Sequence, residues 1–214
     1  MAGVSGSNGR RTRAGPRREP PDLEGFRLIV REQIPLSRVG WIGMASVPAW
    51  IVVFDLLSAA SGGRAITRPS ITLVGFVVAV VLALIAVPVL HEAIHGIVAR
   101  LAGARPEYGV GAGFAYTTFG EPVGRAAYLV IGLAPLVVLS VLGVAAMVHW
   151  PRAAGQLLVF LVANAAGAVG DLWVAWEVRR LPPEVRICDL ADGFAAYLPE
   201  PGAASSAPPL PTST

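Results

Sequence analysis

Charge and sulfur are what this chain has least of. Only 14% of its 214 residues are charged, against 54% hydrophobic, and a mean hydropathy of +0.62 excludes an ordinary soluble domain of this length. Lysine is absent, so all 17 basic residues are arginine. An isoelectric point of about 9.6 would suit nucleic acid, but the arginines are scattered between apolar blocks instead of gathering with aromatics on one surface, and no nucleic-acid partner is expected. The single cysteine, Cys188, permits no internal disulfide and reads as a free thiol. Residues 1–21 lack the apolar core of a signal peptide. No internal repeat is visible.

What is present is long apolar sequence. Four segments, 39–59, 71–90 and on through a histidine motif, 126–148, and 156–176, each approach the roughly twenty residues that cross a bilayer as a helix. Trp41, Trp50, Trp150, Trp173 and Trp176 lie mostly near segment ends, where indole favours the interface. These features predict an all-α integral membrane protein with about four transmembrane helices, the bilayer being its first partner.

The flanks are polar. Residues 1–22 read as a disordered basic tail, residues 23–199 as the membrane-embedded domain, and residues 200–214, rich in Pro, Ser, Thr and Ala, as a second disordered tail. Over 23–36, Leu23, Phe26, Val30 and Ile34 recur at helical spacing with Glu24, Arg27, Arg31 and Glu32 between them, which predicts a helix lying at the membrane surface. Between the second and third spans, EYGVGAGFAYTTFGEP alternates glycine with Tyr108, Val110, Phe114, Tyr116 and Phe119. Such a stretch can form a small β-hairpin, and its edge could hold an extended substrate by strand addition.

The arginines set the expected orientation. Placing the N-terminus inside puts Arg10, Arg11, Arg13, Arg17, Arg18, Arg27, Arg31, Arg38, Arg100, Arg105, Arg125, Arg179, Arg180 and Arg186 on the cytoplasmic side, leaving Arg64, Arg68 and Arg152 outside. Both termini are therefore expected in the cytoplasm of a multi-pass cell-membrane protein. Pro88 and Pro135 are expected to break or kink their helices and open a path for water.

His91-Glu92-Ala93-Ile94-His95, at the inner end of the second span, is an HExxH pattern. Residues four apart on a helix lie one above the other, so His91 and His95 can share a metal ion while Glu92 reaches a water beside it. Zinc suits two imidazoles plus a carboxylate with one open position, and hydrolysis is the chemistry such a site performs. With three histidines and nine glutamates in the chain, shuffling gives the pattern on the order of once in several hundred sequences, so it is no common accident. In a membrane segment the cost of these groups also argues for function.

A zinc site needs a third protein ligand. His149 sits a full span away, and Glu121 lies in a loop of no inferable position. Asp171, in ANAAGAVGDLWVAW of the fourth span, lies at the depth of His91 and His95. Asn164 shares its face two turns earlier, and the small residues between allow close helix approach.

HEAIHG, AYTTFGEPVGRAAYLVIGLAPL and NAAGAVGDLWVAWEVRRLPPEVRICDLADGF together resemble the bacterial putative zincin peptidase family, four-helix membrane proteins distantly similar to the site-2 intramembrane metalloproteases. The resemblance covers residues 71–197. It implies His91, His95 and Asp171 as zinc ligands, Glu92 as the general base and Asn164 as the asparagine preceding the aspartate. It departs where site-2 proteases carry prolines and an Asp-Gly pair, because Gly167, Gly170 and Leu172 stand there instead. Asp189 and Asp192 match the family's ending without an assigned chemistry, and Arg125 reads equally as an oxyanion contact or a positive-inside anchor. The expected function is a zinc-dependent peptidase acting on membrane-protein or peptide substrates. The alternatives are a non-proteolytic zinc-binding accessory or regulatory protein and a hydrolase of smaller amides or esters. Glu92 speaks against the first, since a pure binding site has no need of it.

Overall fold

The computed structural model describes residues 19–62, 71–110 and 115–200. The expected tails up to residue 18 and from residue 201, with Arg10, Arg11, Arg13, Arg17, Arg18, Arg64, Arg68 and Phe114, lie outside the described residues. Helices α1 (Leu36–Ala60), α2 (Leu73–Leu101) and α3 (Arg125–His149) are followed by a 3₁₀ turn (Pro151–Ala153) leading into α4 (Ala154–Gly167) and α5 (Val169–Val178). Four helical spans, the last formed by the turn with α4 and α5, are long and apolar enough to cross a membrane. Thr72 opens α2, its hydroxyl accepting from the Gly75 amide at 3.1 Å. Neither Pro88 nor Pro135 breaks its helix. The fourth span is interrupted only at Ala168, whose amide still donates to the Asn164 carbonyl at 2.9 Å and whose carbonyl accepts from Leu172 at 3.0 Å.

The spans turn their large side chains outward and their small ones inward. Leu73, Leu84, Ile85 and Val89 of α2 and Val130, Val141 and Leu142 of α3 are exposed, as expected of surfaces solvated by lipid tails. Ala79, Ala83, Val87 and His91 are buried at intervals of four along α2, one face in register. Against α4, α1 approaches so closely that a Cβ on Gly43 would lie 2.6 Å from the Ala166 carbonyl oxygen, a distance only glycine allows.

The fold is not all-α. The expected hairpin forms from β2 (Pro106–Val110) and β3 (Ala115–Phe119), paired antiparallel. A second, antiparallel sheet has strand order β1-β6-β5-β4, with β1 (Phe26–Gln33), β4 (Val123–Gly124), β5 (Arg186–Leu190) and β6 (Gly193–Pro199). Thus the surface helix expected over 23–36 is a strand. Its helical spacing is real, but Gly25 (φ 75°) and Pro35 confine it to a short segment. The β-branched Val30 there finds a partner in Ala196 of β6, 166 positions away. A register shift between Leu28 and Val30 bends the strand, and both Ile29 and Val30 pack on the core.

Chain order places both sheets at one end of the bundle. β1 leads into α1, α2 returns to β2, β3 and β4, α3 departs again, and α5 returns to β5 and β6. Val185, Ile187, Phe194 and Ala196 pack there with Ala99 of α2, Tyr128 and Ile131 of α3 and Val178 of α5 in one buried cluster. Burying such aliphatic side chains is worth roughly 1.5–3 kcal/mol each.

Candidate metal centre

His91 and His95 face the bundle interior because they continue the buried row of Ala79, Ala83 and Val87. His91 precedes the end of α2 by ten residues and His95 by six, about 15 and 9 Å of helix rise. Asp171 stands seven residues before the end of α5, about 10 Å from the same boundary. The depths inferred from sequence agree, and the side chains meet. Asp171 Oδ2 lies 2.9 Å from His91 Nε2, and its Oδ1 lies 3.6 Å from His95 Nε2.

The other ring nitrogens are held by oxygen. His91 Nδ1 lies 3.0 Å from Asn164 Oδ1, and His95 Nδ1 lies 2.9 Å from the Ile131 carbonyl. The Ile131 main-chain carbonyl only accepts, so His95 Nδ1 carries the proton and a neutral ring presents Nε2 as a lone pair; with Asn164 Oδ1 as acceptor the same holds for His91. Two such lone pairs and a carboxylate then point at one another. Only a cation between them, a proton or a metal ion, makes that arrangement favourable. Imidazoles fixed through Nδ1 to an amide or carbonyl oxygen, with Nε2 free, are the usual support of zinc ligands. Two ligand atoms on one tetrahedral zinc lie about 3.3 Å apart, and the two Asp171 distances bracket that value.

Glu92 belongs to the same group, since ligand atoms of His91, Glu92 and His95 all lie within 4.8 Å of one another. Asp171 meets the two imidazoles at 2.9 and 3.6 Å, so its carboxylate stands with the same group. The Thr117 hydroxyl donates to the Glu92 carbonyl at 2.9 Å, tying β3 to α2 over the site. The hairpin also needs Gly96, where a Cβ would meet the Tyr108 hydroxyl oxygen at 1.9 Å.

A cavity of about 230 Å³ opens on this group, and Glu92, His95 and Asp171 line it together with Tyr116 and Thr117 of the hairpin and with Tyr128 and Asp189. Tyr128 and Asp189 are joined at 2.8 Å, the hydroxyl donating. Burial pushes the Asp189 carboxyl up to about 7, against the lowering effect of that hydrogen bond.

Other residues singled out in the sequence lie elsewhere. Arg125 donates to the Leu181 carbonyl and so ties the start of α3 to the chain leaving α5. Glu121 accepts from the exposed Arg105 amide at 3.0 Å, and His149 ends α3 against Trp150 at the opposite end of the bundle. Asp192 accepts from Gln33 at 2.9 Å and stands 3.9 Å from Arg31 across the sheet. The sequence reading missed Ile131, whose carbonyl carries no side-chain signal. It also left Asp189 unassigned, although β5 supplies a signal: Asp189 is the one acid in RICDL, on the same strand face as the core residue Ile187.

Four spans long and apolar enough to cross a membrane thus surround a His-Glu-His group that could hold a metal ion, with a carboxylate against both imidazoles. Residues 84–186 match the model of a family described as putative zincin peptidase. The match takes in α2 from its middle, the hairpin, α3 and the fourth span, and so includes His91, Glu92, His95, Asn164 and Asp171, while β1, Asp189 and β6 lie beyond it. No curated protein and no solved structure matches the chain.

Proposed function

We propose that this protein is a zinc-dependent peptidase of the HExxH type, similar to site-2 proteases, that hydrolyses peptide bonds of membrane-embedded or membrane-adjacent substrates. His91, His95 and Asp171 hold the ion, and Glu92 is the general base. The observation that carries this reading is the pairing of both Nδ1 atoms with oxygen, which leaves both Nε2 atoms aimed at Asp171. Bound there, zinc would supply Lewis acidity, lowering the pKa of water and polarising the scissile carbonyl.

The remaining chemistry belongs to the chain. The Glu92 carboxylate accepts the proton of the attacking water and returns it to the leaving nitrogen. Asn164 and the Ile131 carbonyl hold the imidazoles in one tautomer throughout. The hairpin strand β3, whose Tyr116 and Thr117 line the cavity, offers backbone groups on which a peptide can lie extended, unwound from its helix. The cavity separates this reading from a storage or regulatory zinc site, which has no use for open volume beside Glu92.

The site opens toward the end of the bundle that carries the sheets. Of the described arginines, Arg27, Arg31, Arg38, Arg100, Arg105, Arg125, Arg179, Arg180 and Arg186 lie at that end, and Arg152 lies at the other. This imbalance supports a multi-pass protein of the cell membrane with the sheets, both termini and the site entrance on the cytoplasmic side.

Glu92→Gln tests the mechanism. Because the ligands are untouched, zinc measured by elemental analysis should remain stoichiometric while hydrolysis of membrane peptides falls by at least about a thousandfold. Turnover at the wild-type rate would refute the assignment, and joint loss of zinc and activity would make Glu92 structural.

A further inference from the structure

The far wall of the cavity carries an acid that the hydrolytic chemistry does not use. Asp189 lies on β5, on the same strand face as the core residue Ile187. It is held there by the Tyr128 hydroxyl at 2.8 Å, pinning the strand to α3. Both residues line the same cavity as Glu92, His95 and Asp171, and no arginine lines it among the described residues. Two other acids near the sheet have basic neighbours, Asp192 with Arg31 at 3.9 Å and Glu177 with Arg180 at 3.5 Å. Asp189 is half-buried, and a carboxylate drawn from water with no arginine beside it is costly. One that borders an open cavity is satisfied by whatever cation enters.

Resting on the peptidase reading for the position of the scissile bond, we propose that Asp189, positioned by Tyr128, is a specificity residue that binds a cationic side chain, lysine or arginine, of the substrate. Geometry gives this site a natural occupant. Asp189 follows α5 on the sheet side, whereas the metal group lies about 10 Å up the helices. A membrane-spanning substrate carries its basic residues just beyond the apolar segment on the cytoplasmic side, the same boundary. Because Asp189 and the metal group line one cavity, the scissile bond is placed close in sequence to a juxtamembrane lysine or arginine. Raised toward neutrality by burial, the Asp189 carboxyl is also a group that an arriving cation would help to ionise.

Binding tests this apart from turnover. In phosphatidylcholine nanodiscs, which carry no net charge, the zinc-loaded Glu92→Gln protein would be titrated with a labelled single-span peptide ending in one lysine and with the same peptide carrying norleucine there. The lysine peptide should bind at least tenfold more tightly, and adding Asp189→Asn should reduce that ratio to below twofold with little change for norleucine. Equal binding of the two peptides overturns the proposal, as does a lysine preference that survives Asp189→Asn. Thermal melting checks that each variant is folded. Asp189→Glu keeps the charge and must keep the sign of the preference even if Asp189→Asn does not fold, and loss of preference in a folded Asp189→Glu overturns the proposal too, whereas Tyr128→Phe should weaken the preference without reversing it. If the lysine preference appears while the wild type cleaves neither peptide, the peptidase reading fails and this site stands. If both peptides are cleaved equally well and bound equally well, the reverse holds.

Discussion

Replacing Asp171 with asparagine tests the metal centre at its most informative point, because shape is kept and only charge is removed. Asp171 is the one carboxylate within 4 Å of both imidazoles, at 2.9 and 3.6 Å. Changing a residue that merely supports a zinc ligand weakens metal binding by 10–100-fold, about 1.4–2.7 kcal/mol. Loss of an anionic ligand itself should exceed the upper end of that range, so we expect zinc to bind at least about 100-fold more weakly in Asp171→Asn. Glu177 supplies the control. It lies six residues further along and ends α5 in an exposed contact with Arg180 at 3.5 Å, worth at most about 1 kcal/mol. Glu177→Gln should leave zinc affinity within twofold of wild type. Competition with a chelating dye, on protein stripped and reloaded in detergent, measures both. Unchanged affinity in Asp171→Asn would refute the ligand assignment, and loss confined to Glu177→Gln would move the ligand to the end of the helix.

Two further outcomes follow from the arrangement. In a Cys188→Ser background, an impermeant thiol reagent applied from outside intact cells should label Ser61→Cys, beyond α1, and spare Glu184→Cys, beside the sheet; the reverse would put the site entrance outside. Asp189 should make stability fall as pH rises. Its carboxyl is protonated in the folded protein up to about 7 but only to about 4 once unfolded, so the unfolded state gives up its proton first and gains stability across that window. Between pH 4 and pH 7 the melting temperature should drop, and Asp189→Asn should flatten that component of the profile; an identical slope in the variant would show that the carboxyl ionises at an ordinary pH when folded.

Features written within a single helix or turn were legible in the sequence. The spans, the HExxH group and the hairpin all depend on local periodicity, and Asp171 followed from depth because a helix rises by a fixed amount per residue. The four-stranded sheet was not legible, because β1 pairs with β6 across nearly the whole described chain. The eight residues of β1 fit a helix as well as a strand until their partner is known. A clue was nevertheless available in ICDLADGFAAY, two alternating runs around an Asp-Gly step, and its reading as a hairpin would have exposed Asp189 as facing inward. Asn164 was legible as sharing the face of Asp171, and its contact with His91 Nδ1 gives it a physical role. The support of His95 by a main-chain carbonyl on α3 has no counterpart in residue identity.

The pairing of β1 with β6 has a consequence for synthesis. β1 leaves the ribosome before any of the four spans, yet its partner emerges only after the last of them. Through most of translation β1 is therefore an unpaired edge. The nascent protein carries His91, Glu92 and His95 long before it carries Asp171, and the cavity wall formed by Asp189 and Gly193 comes later still. An unfinished chain can thus hold half of a metal site and none of the far wall. On the peptidase reading proposed above, hydrolytic competence would belong only to chains whose last strand has been made and has closed against the first.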